Sequence, residues 1–287
     1  MTITLSTPTV EELPGVVGSL RPWQLDGAPT QLHPGDVAWH WRLGAETAAT
    51  ALRTWHRDGR LVAVGFLDGP GLVRMGIDPA LASDGALARA VADDVADPAR
   101  GLLADGAAAV EVPAGTALSD ALLGSGWRAG ETWAALRRDL TEPVEDPGVR
   151  VEVVDAATAT ERVGLQHAAF DSSRFTIDQW RTLAASPPYA DAACLLVRDD
   201  AGTAVAAASV WSAGPGRPGL IEPLGAHRDH RGRGYGRAIT LAAAAHLRGM
   251  GASSVLVKTE GHNAAGIGAY RSAGLTLDPP APDLVRG

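Results

Sequence analysis

The second half of the chain carries hydrophobic patterns that switch between the period of a strand and the period of a helix. Short apolar runs such as SSVLVKT (253–259) predict buried strands. Ala238, Leu241 and Ala242 recur at i, i+3 and i+4, which predicts a helix that buries one face. Because the two periods alternate along the chain, strands and helices are expected to share one domain.

Residues 149–287 give the order strand, two helices, three strands, helix, strand and helix. Thr176 and Gln179 have the spacing of a capping box at the start of the second helix. The turn at 199–202 joins two apolar runs as a hairpin. The pattern therefore predicts an α/β domain, of the α+β three-layer kind, whose core is strand, glycine loop, helix and strand.

Chain length and a proline-rich segment predict two domains. The chain has 287 residues, which is long for a single domain. The segment TEPVEDPG (141–148) is rich in proline and acid and is followed by a new apolar strand, so we place a linker there. The expected domains are residues 1–145 and 149–287.

Composition limits the classes of function. Hydrophobic residues make up 46% of the chain and charged residues 20%, which is typical of a soluble globular protein. No uncharged apolar run approaches the roughly 20 residues of a membrane helix, and the N-terminus lacks the features of a signal peptide. A cytoplasmic protein without membrane partners is expected. Cys194 is the single cysteine, so neither an intrachain disulfide nor a cysteine metal cluster is possible.

Charge is distributed unevenly between the halves. Residues 1–148 contain 11 basic and 20 acidic residues, a formal charge of −9, whereas residues 149–287 contain 14 and 13, a charge of +1. No basic stripe is present, so nucleic acid is not an expected partner. His227, His230 and His262 lack the spacing of metal ligands or of a catalytic triad, and no metal site is expected.

The stretch HRDHRGRGYGRAIT (227–240) follows a predicted strand and opens a predicted helix. Unpaired N–H groups and the positive end of the helix dipole favour an anion at such a position, and glycines let the backbone approach it. A P-loop would need Gly-Lys-Ser/Thr at its end, and a Rossmann motif beginning at Gly232 would need glycine where Arg237 stands. The pattern that remains is Arg231-x-x-Gly234-x-Gly236.

This pattern resembles the pyrophosphate loop of the GCN5-related N-acetyltransferases. Residues 220–275 follow that family's order of strand, loop, helix, strand and helix, and Gly274-Leu275 stands where the family usually has Gly-Phe. The resemblance implies mixed, mostly antiparallel central sheets and acetyl-CoA as cofactor. It also implies that the strand containing Pro223 splays from its neighbour and admits the pantetheine arm.

By resemblance, the cofactor is held by backbone and loop residues. The backbone at Leu224 and Ala226 would pair with pantetheine, and the Leu224 N–H would face the thioester carbonyl. The remaining expected cofactor-binding residues are Arg231, Gly232, Arg233, Gly234, Tyr235, Gly236, Arg237 and Asn263.

Acyl transfer to an amine also needs a base and an acid, because an alkyl amine is mostly protonated at neutral pH and the thiolate must leave. Glu222 is the candidate base, since strict strand alternation would place it with Leu220 and Leu224 beside the acetyl group. A carboxylate paired with an arginine is the structural alternative. Tyr270 matches the family's usual general acid, and a packing tyrosine is the alternative there.

An internal repeat indicates a second, degenerate copy of the domain. Without gaps, MGIDPALASDGALARAV (75–91) aligns with LGAHRDHRGRGYGRAIT (224–240). Ala82 then stands opposite Arg231 and Leu87 opposite Gly236, so the first domain is not expected to bind coenzyme A. The arrangement resembles tandem family members of the mycothiol synthase type. The second domain ends 12 residues after Leu275, which leaves too little chain for the usual final strand.

The sequence thus predicts an N-acetyltransferase that acts on a primary amine, expected to be a small molecule. A non-catalytic acyl-CoA sensor and transfer of a longer acyl group remain alternatives. The sequence does not name the acceptor, and monomer and homodimer both stay open.

Overall fold

The computed structural model describes residues 2–287, which divide into two compact units. The first unit comprises the chain up to Val37, Ala45–Trp133 and Pro280–Gly287, and the second unit comprises Ala38–Gly44 and Ala134–Pro279. Neither unit is a continuous half of the chain. The predicted linker at 141–148 has no regular secondary structure and lies inside the second unit.

Helices and strands are interspersed throughout residues 2–287. Residues 2–139 form β1 (Ile3–Ser6), α1 (Leu13–Trp23), α2 (Pro34–His40), α3 (Ala45–Thr50), β2 (Leu52–Arg57), β3 (Arg60–Leu67), β4 (Leu72–Ile77), α4 (Gly85–Ala96), β5 (Ala108–Glu111), α5 (Ala117–Gly124) and β6 (Arg128–Asp139). Residues 150–286 form β7 (Arg150–Val153), α6 (Ala159–Ala169), α7 (Ile177–Ala184), β8 (Ala192–Arg198), β9 (Ala204–Trp211), β10 (Gly219–Ala226), α8 (Tyr235–Gly249), β11 (Ser254–Glu260), α9 (Ala264–Ser272), β12 (Thr276–Leu277) and β13 (Ala281–Arg286).

The order predicted for residues 149–287 is confirmed as far as α9, and the structure adds two short strands after it, β12 and β13. The capping box is present, with the Thr176 side chain accepting from the Gln179 N–H and the Gln179 side chain accepting from the Thr176 N–H. The hairpin of β8 and β9 turns at Asp199, whose side chain accepts from the Ala201 and Thr203 N–H groups. Local sequence therefore determines these elements through side-chain hydrogen bonds that close the ends of helices and strands.

The sheet of the second unit is mixed and mostly antiparallel. Its strand order is β6, β11, β10, β9, β8 and β7, with β12 paired to β6. β10 and β11 run parallel, whereas β10, β9, β8 and β7 pair antiparallel in turn. Leu195 and Val197 of β8 pack with α8 on one face, and Cys194 and Leu196 pack with α6 and α7 on the other. The unit therefore has three layers, as predicted.

The first unit repeats the core of the second. Its strands are ordered β1, β2, β3, β4, β5, β13 and the first part of β6. β4 and β5 run parallel, and α4 follows β4 just as α8 follows β10. The internal repeat in the sequence therefore corresponds to a repeat of strand, loop, helix and strand in the structure.

The last strands of the two sheets come from different parts of the chain. Residues 134–139 of β6 take the sheet position beside β11, and β12 pairs with them through Thr276 and Leu277. β13 instead belongs to the first unit, where it pairs with β5 and with the first part of β6. The sheet of the second unit is thus completed by residues that precede the predicted linker.

Within residues 2–287, none of the helices has both the length and the apolar character required to cross a bilayer.

Candidate active site

The parallel strands β10 and β11 diverge soon after they meet. Among the described residues, β10 pairs with β11 only at Gly219 and Leu220, while it continues beside β9 as far as Ala226. Pro223 lies where the register with β9 shifts, so its missing N–H removes no regular ladder bond. The expected splay is confirmed, and it leaves the backbone edge of residues 224–226 without a β11 partner.

Alternation along β10 directs two of these backbone amides toward the gap. The His227 N–H donates to the Val205 carbonyl of β9 over 2.9 Å. Since successive N–H groups in a strand point to opposite edges, those of Leu224 and Ala226 point away from β9. These are the two residues expected to pair with pantetheine.

A pocket of about 570 Å³ lies along this gap, and we call it the loop pocket. It extends from β10 past the loop at 230–237 to one face of α9. Most of the predicted site residues line it, namely Leu224, Ala226, Arg231, Gly232, Gly234, Tyr235, Gly236, Arg237, Asn263 and Tyr270. Glu222 and Arg233 are not among its lining residues.

The loop before α8 presents a run of unpaired backbone donors. In the part of the chain that the structure describes, none of the N–H groups of residues 232–237 donates a hydrogen bond, and no side chain caps α8. Gly232 and Gly234 have φ of +77° and +85°, a conformation that side chains disfavour. Donors that converge at a helix N-terminus form an anion site suited to a pyrophosphate.

The loop arginines have protein partners that the sequence did not reveal. Arg228 donates to the carbonyls of His167 and Ala168, and Arg231 donates to the Ala169 carbonyl over 2.9 Å. These carbonyls end α6, where cationic groups are favoured by the helix dipole. Arg237 similarly donates to the Ser272 carbonyl at the end of α9. These three arginines therefore position the loop, in addition to any charge they offer to a ligand.

Gly236 has a packing role beyond the approach of an anion. A Cβ at this position would lie 3.1 Å from the Cβ of Ala269, so glycine allows α8 and α9 to approach closely. A leucine here would push on α9 as well as fill the loop pocket.

Asn263 contributes by shaping the pocket wall. Its side chain accepts from the Gly266 N–H over 3.0 Å and donates to the Thr259 hydroxyl over 2.8 Å, which caps α9. Its polar atoms are therefore already used within the protein.

Tyr270 lies in α9 and is 6% exposed. Burial, with a smaller contribution from the Glu260 carboxylate, raises the pKa of Tyr270 to about 12. The phenol therefore keeps its proton at neutral pH and can donate a hydrogen bond into the loop pocket.

Glu222 lies in the irregular part of β10, and the alternation assumed from the sequence is wrong there. Leu220 pairs with Trp211 and Leu224 pairs with Ala208. The chain therefore advances four positions along β10 for three along β9, which is a β-bulge of one extra residue. The bulge puts the two leucines on opposite faces of the sheet, with Leu220 packed beside Trp211. The Trp211 indole N–H donates to the Glu222 carbonyl over 2.7 Å and fixes the backbone at the bulge.

Several pocket residues escaped the sequence analysis. Ala265, Gly268, Ala269 and Ser272 line the loop pocket from one face of α9. They recur at spacings of three and four, which places them on one face of the helix. This spacing could have been recognised in the sequence, because small residues on one helix face leave room for a ligand or another element to approach the helix closely. His230 also lines the pocket, and its Nδ1 is buried with no hydrogen-bond partner. This free ring nitrogen, together with the unpaired loop amides, fits a bound polar ligand such as coenzyme A.

The corresponding place in the first unit is closed. Asp84, which aligns with Arg233, accepts from the Ala86 and Leu87 N–H groups over 3.0 and 2.9 Å. It also pairs with Arg57 over 2.6 Å, and this hydrogen bond holds the pKa of Asp84 well below its usual range. Leu87 is buried, and only about 10 Å³ of space remains there. A carboxylate of the protein therefore occupies the anion site of this helix.

Comparisons with known proteins agree with the geometry of the site. Residues 155–275 match the model of the acetyltransferase (GNAT) family. A mycothiol acetyltransferase of Thermobispora bispora is 30% identical over 165 residues, which are 52% of this chain and 55% of that protein. The chain thus spans about half the length of the curated relatives it matches.

Two solved structures share the fold over nearly the whole chain. A GCN5-related N-acetyltransferase from Sphaerobacter thermophilus has a TM-score of 0.58 at 17% identity and covers 99% of this chain and 95% of its own. A tandem GNAT protein from the clavulanic acid biosynthesis pathway has a TM-score of 0.61 at 17% identity and covers 99% and 98%. With the splayed strands and the amide-lined loop, these matches lead to one assignment. Residues 155–275 of this chain match the acetyltransferase (GNAT) family, and the two solved structures show that the same fold extends over nearly the whole chain.

Proposed function

We propose that the second unit transfers an acetyl group from acetyl-CoA to the primary amine of a small molecule. The observation that carries this proposal is the loop pocket, which joins unpaired loop amides, an open strand edge and a buried phenol in one cavity. Acetyl-CoA, when bound, supplies an acetyl group activated as a thioester.

The protein would hold that molecule at two places. The N–H groups of residues 232–237 would bind the pyrophosphate, supported by the dipole of α8. The backbone edge at Leu224 and Ala226 would pair with the pantetheine arm, and the Leu224 N–H would stabilise negative charge on the carbonyl oxygen during attack.

The transfer balances as one bond formed and one broken. The amine nitrogen forms a bond to the acetyl carbon, the carbon–sulfur bond breaks, and the products are an acetamide and a free thiol. One proton leaves the nitrogen and one is gained by the sulfur. The chain therefore has to handle a proton at each end of the reaction.

Glu222 and Tyr270 are the residues proposed for these two protons. Glu222 precedes Pro223 at the opening of the strands and would accept the amine proton, directly or through water. Tyr270 keeps its proton because of its raised pKa and would donate to the sulfur. A thiol has a pKa of about 8.5, which is lower than that of this phenol, so full proton transfer from Tyr270 to the sulfur is unfavourable. The main contribution of Tyr270 is therefore a strong hydrogen bond to the developing thiolate.

Titration calorimetry with acetyl-CoA, followed by measurement of free thiol release with a panel of primary amines, tests the proposal. We expect binding, and thiol release that depends on the amine. Binding without any amine-dependent release would favour a non-catalytic sensor. Faster turnover with a longer acyl-CoA than with acetyl-CoA would show that the acyl donor is the longer thioester and not acetyl-CoA.

A further inference from the structure

A second cavity, of about 410 Å³, lies beside the loop pocket, and we call it the aromatic pocket. Trp39, Phe170 and Phe175 give it aromatic walls, and Pro223 lines it at the bulge of β10. Phe170 lines both cavities, and Pro223 is followed directly by Leu224, which lines the loop pocket. A molecule in the aromatic pocket would therefore reach the place where the acetyl group is expected.

The lining of the aromatic pocket contains arginine and no acidic residue. Arg42 and Arg174 line it, and Arg42 lies with its guanidinium carbon 4.6 Å from the centre of the Trp39 ring. Arg174 is exposed and has no carboxylate partner within the described residues. The neighbouring acid Asp171 is paired with Arg228 over 2.9 Å. The cavity thus presents positive charge beside flat apolar surfaces.

A buried arginine lies directly behind this wall. Arg162 is 1% exposed, and its Nη1 donates to the Gln166 side chain over 2.6 Å. Its guanidinium carbon is 5.6 Å from the centre of the Phe175 ring. Gln166 and Phe175 both line the aromatic pocket, so Arg162 contacts two of its walls.

Arg162 lacks the partner that a buried charge normally has. Its Nε has no hydrogen-bond partner, and the ionisable groups beside it are the Cys194 thiol and the Tyr189 phenol. Burial lowers the pKa of Arg162, but a guanidinium starts so high that it stays charged. Within the described residues no carboxylate neutralises it. A buried charge without a counter-ion costs several kcal/mol in general, so an anion nearby would be strongly favoured.

We propose that the aromatic pocket is the acceptor site and that the acceptor is an amine carrying a carboxylate or another oxyanion on an apolar or aromatic body. This assignment rests on the proposed acetyl transfer. The amine would lie toward Pro223 and the acetyl group, and the oxyanion toward Arg174, with Arg162 behind the wall. An aromatic amino acid has this combination of groups.

The test compares acceptors that differ only in the anion. L-Phenylalanine is compared with phenylalaninamide, and 2-aminoethyl phosphate with ethanolamine, which separates a carboxylate from a phosphate. An arginine–oxyanion contact is worth about 1.5–3 kcal/mol, or roughly 10- to 100-fold. We expect the anionic member of at least one pair to have a kcat/KM at least about tenfold higher. The amide has the less basic amine, so a larger fraction of it is unprotonated at neutral pH, and amine protonation alone would favour the amide.

Two arginine variants locate the effect. Arg174→Gln should remove about tenfold of the preference by raising KM for the anionic acceptor, with kcat and the neutral acceptor little changed. Arg181→Gln, an exposed arginine of α7 outside the pocket, should leave the preference intact. Equal use of the two members in both pairs, or a preference that survives Arg174→Gln, would overturn the acceptor assignment alone. Failure of every amine, neutral ones included, would overturn acetyl transfer and the assignment with it.

Discussion

The residues of this site fall into two groups: some side chains are available to a ligand in the loop pocket, and others hydrogen-bond to the backbone of the protein. Arg231 and Asn263 line the loop pocket, yet their polar atoms bind the ends of α6 and α9. Tyr270 differs, because its phenol is buried, protonated and directed by a helix that the Asn263 side chain caps. Glu222 differs again, because the Trp211 indole donates to its backbone carbonyl and fixes the chain at the bulge.

Replacing the acid and the base should lower turnover more than binding. General acid or base catalysis contributes about 10²- to 10⁴-fold, so Tyr270→Phe and Glu222→Gln should each lower kcat within about that range. Acetyl-CoA affinity, measured by calorimetry, should change little, since neither residue contacts the loop amides. Wild-type kcat in both variants would contradict the assigned roles.

The pH profiles should distinguish the two variants. Because the pKa of Tyr270 is about 12, its ionisation lies above an assay range of about pH 6 to 9. Tyr270→Phe should therefore lower the rate throughout and leave the rise with pH in place. Glu222→Gln should lower the rate more at low pH than at high pH, because the unprotonated form of the acceptor amine, which depends less on a base, becomes commoner as pH rises. A flattened profile in Tyr270→Phe would contradict this division of roles.

At the scale of elements, the N-termini of α4 and α8 show how one fold opens or closes an anion site. Asp84 supplies a carboxylate to the amides of α4, whereas α8 begins at Gly234 without a cap. The aligned residue before Gly234 is Arg233, so a single charge reversal distinguishes the two loops at this position.

Arg233→Asp should therefore place a carboxylate beside the unpaired loop amides, one residue before the Gly234 N-cap of α8, and close the anion site. A carboxylate hydrogen bond of about 1.5–3 kcal/mol predicts a roughly 10- to 100-fold weaker affinity for acetyl-CoA than in Arg233→Ala, which removes the positive charge without adding a carboxylate. The midpoint of thermal unfolding should not fall, because the helix dipole favours a negative charge near the start of a helix. Equal affinities in the two variants would show that the loop amides do not hold the pyrophosphate.

Local patterns predicted the elements well and the long-range pairings poorly. The capping box of α7 and the start of α8 depend on residues within a few positions, so the sequence shows them directly. β13 pairs with β5 and with the first part of β6, whose paired residues lie at least 148 positions away, and nothing in its own composition specifies those partners. Alternation predicts that Leu220 and Leu224 share one face of the sheet, but the bulge at Pro223 puts them on opposite faces, because alternation is reliable only where strand pairing is regular.

The same limit applies to the candidate site. The loop could be predicted from its glycines, because a positive φ at Gly232 and Gly234 and the close contact at Gly236 restrict these positions to glycine, which therefore leaves a visible pattern in the sequence. The aromatic pocket was not readable, because Trp39 and Phe175 come together only through the fold of the second unit.

At the scale of the whole molecule, the chain has two copies of one core, and the two copies differ at the N-terminus of the corresponding helix. The second unit has a loop pocket of about 570 Å³ with six consecutive unpaired amides, whereas about 10 Å³ remains at the equivalent place in the first unit. Asp84 is also anionic, so a pyrophosphate there would meet like charge in addition to occupied amides.

We therefore expect acetyl-CoA to bind once per chain. Calorimetry should give a stoichiometry near one for the wild type, and Arg233→Asp should weaken that single event without exposing a second. Asp84→Ala provides the complementary control: it removes the cap of α4 and should cost about 1 kcal/mol in unfolding free energy, because two helix amides lose their acceptor. It should not create a second binding event, since Leu87 still fills the space beneath the loop. A stoichiometry near two in the wild type would contradict the conclusion that Asp84 and Leu87 close the first unit.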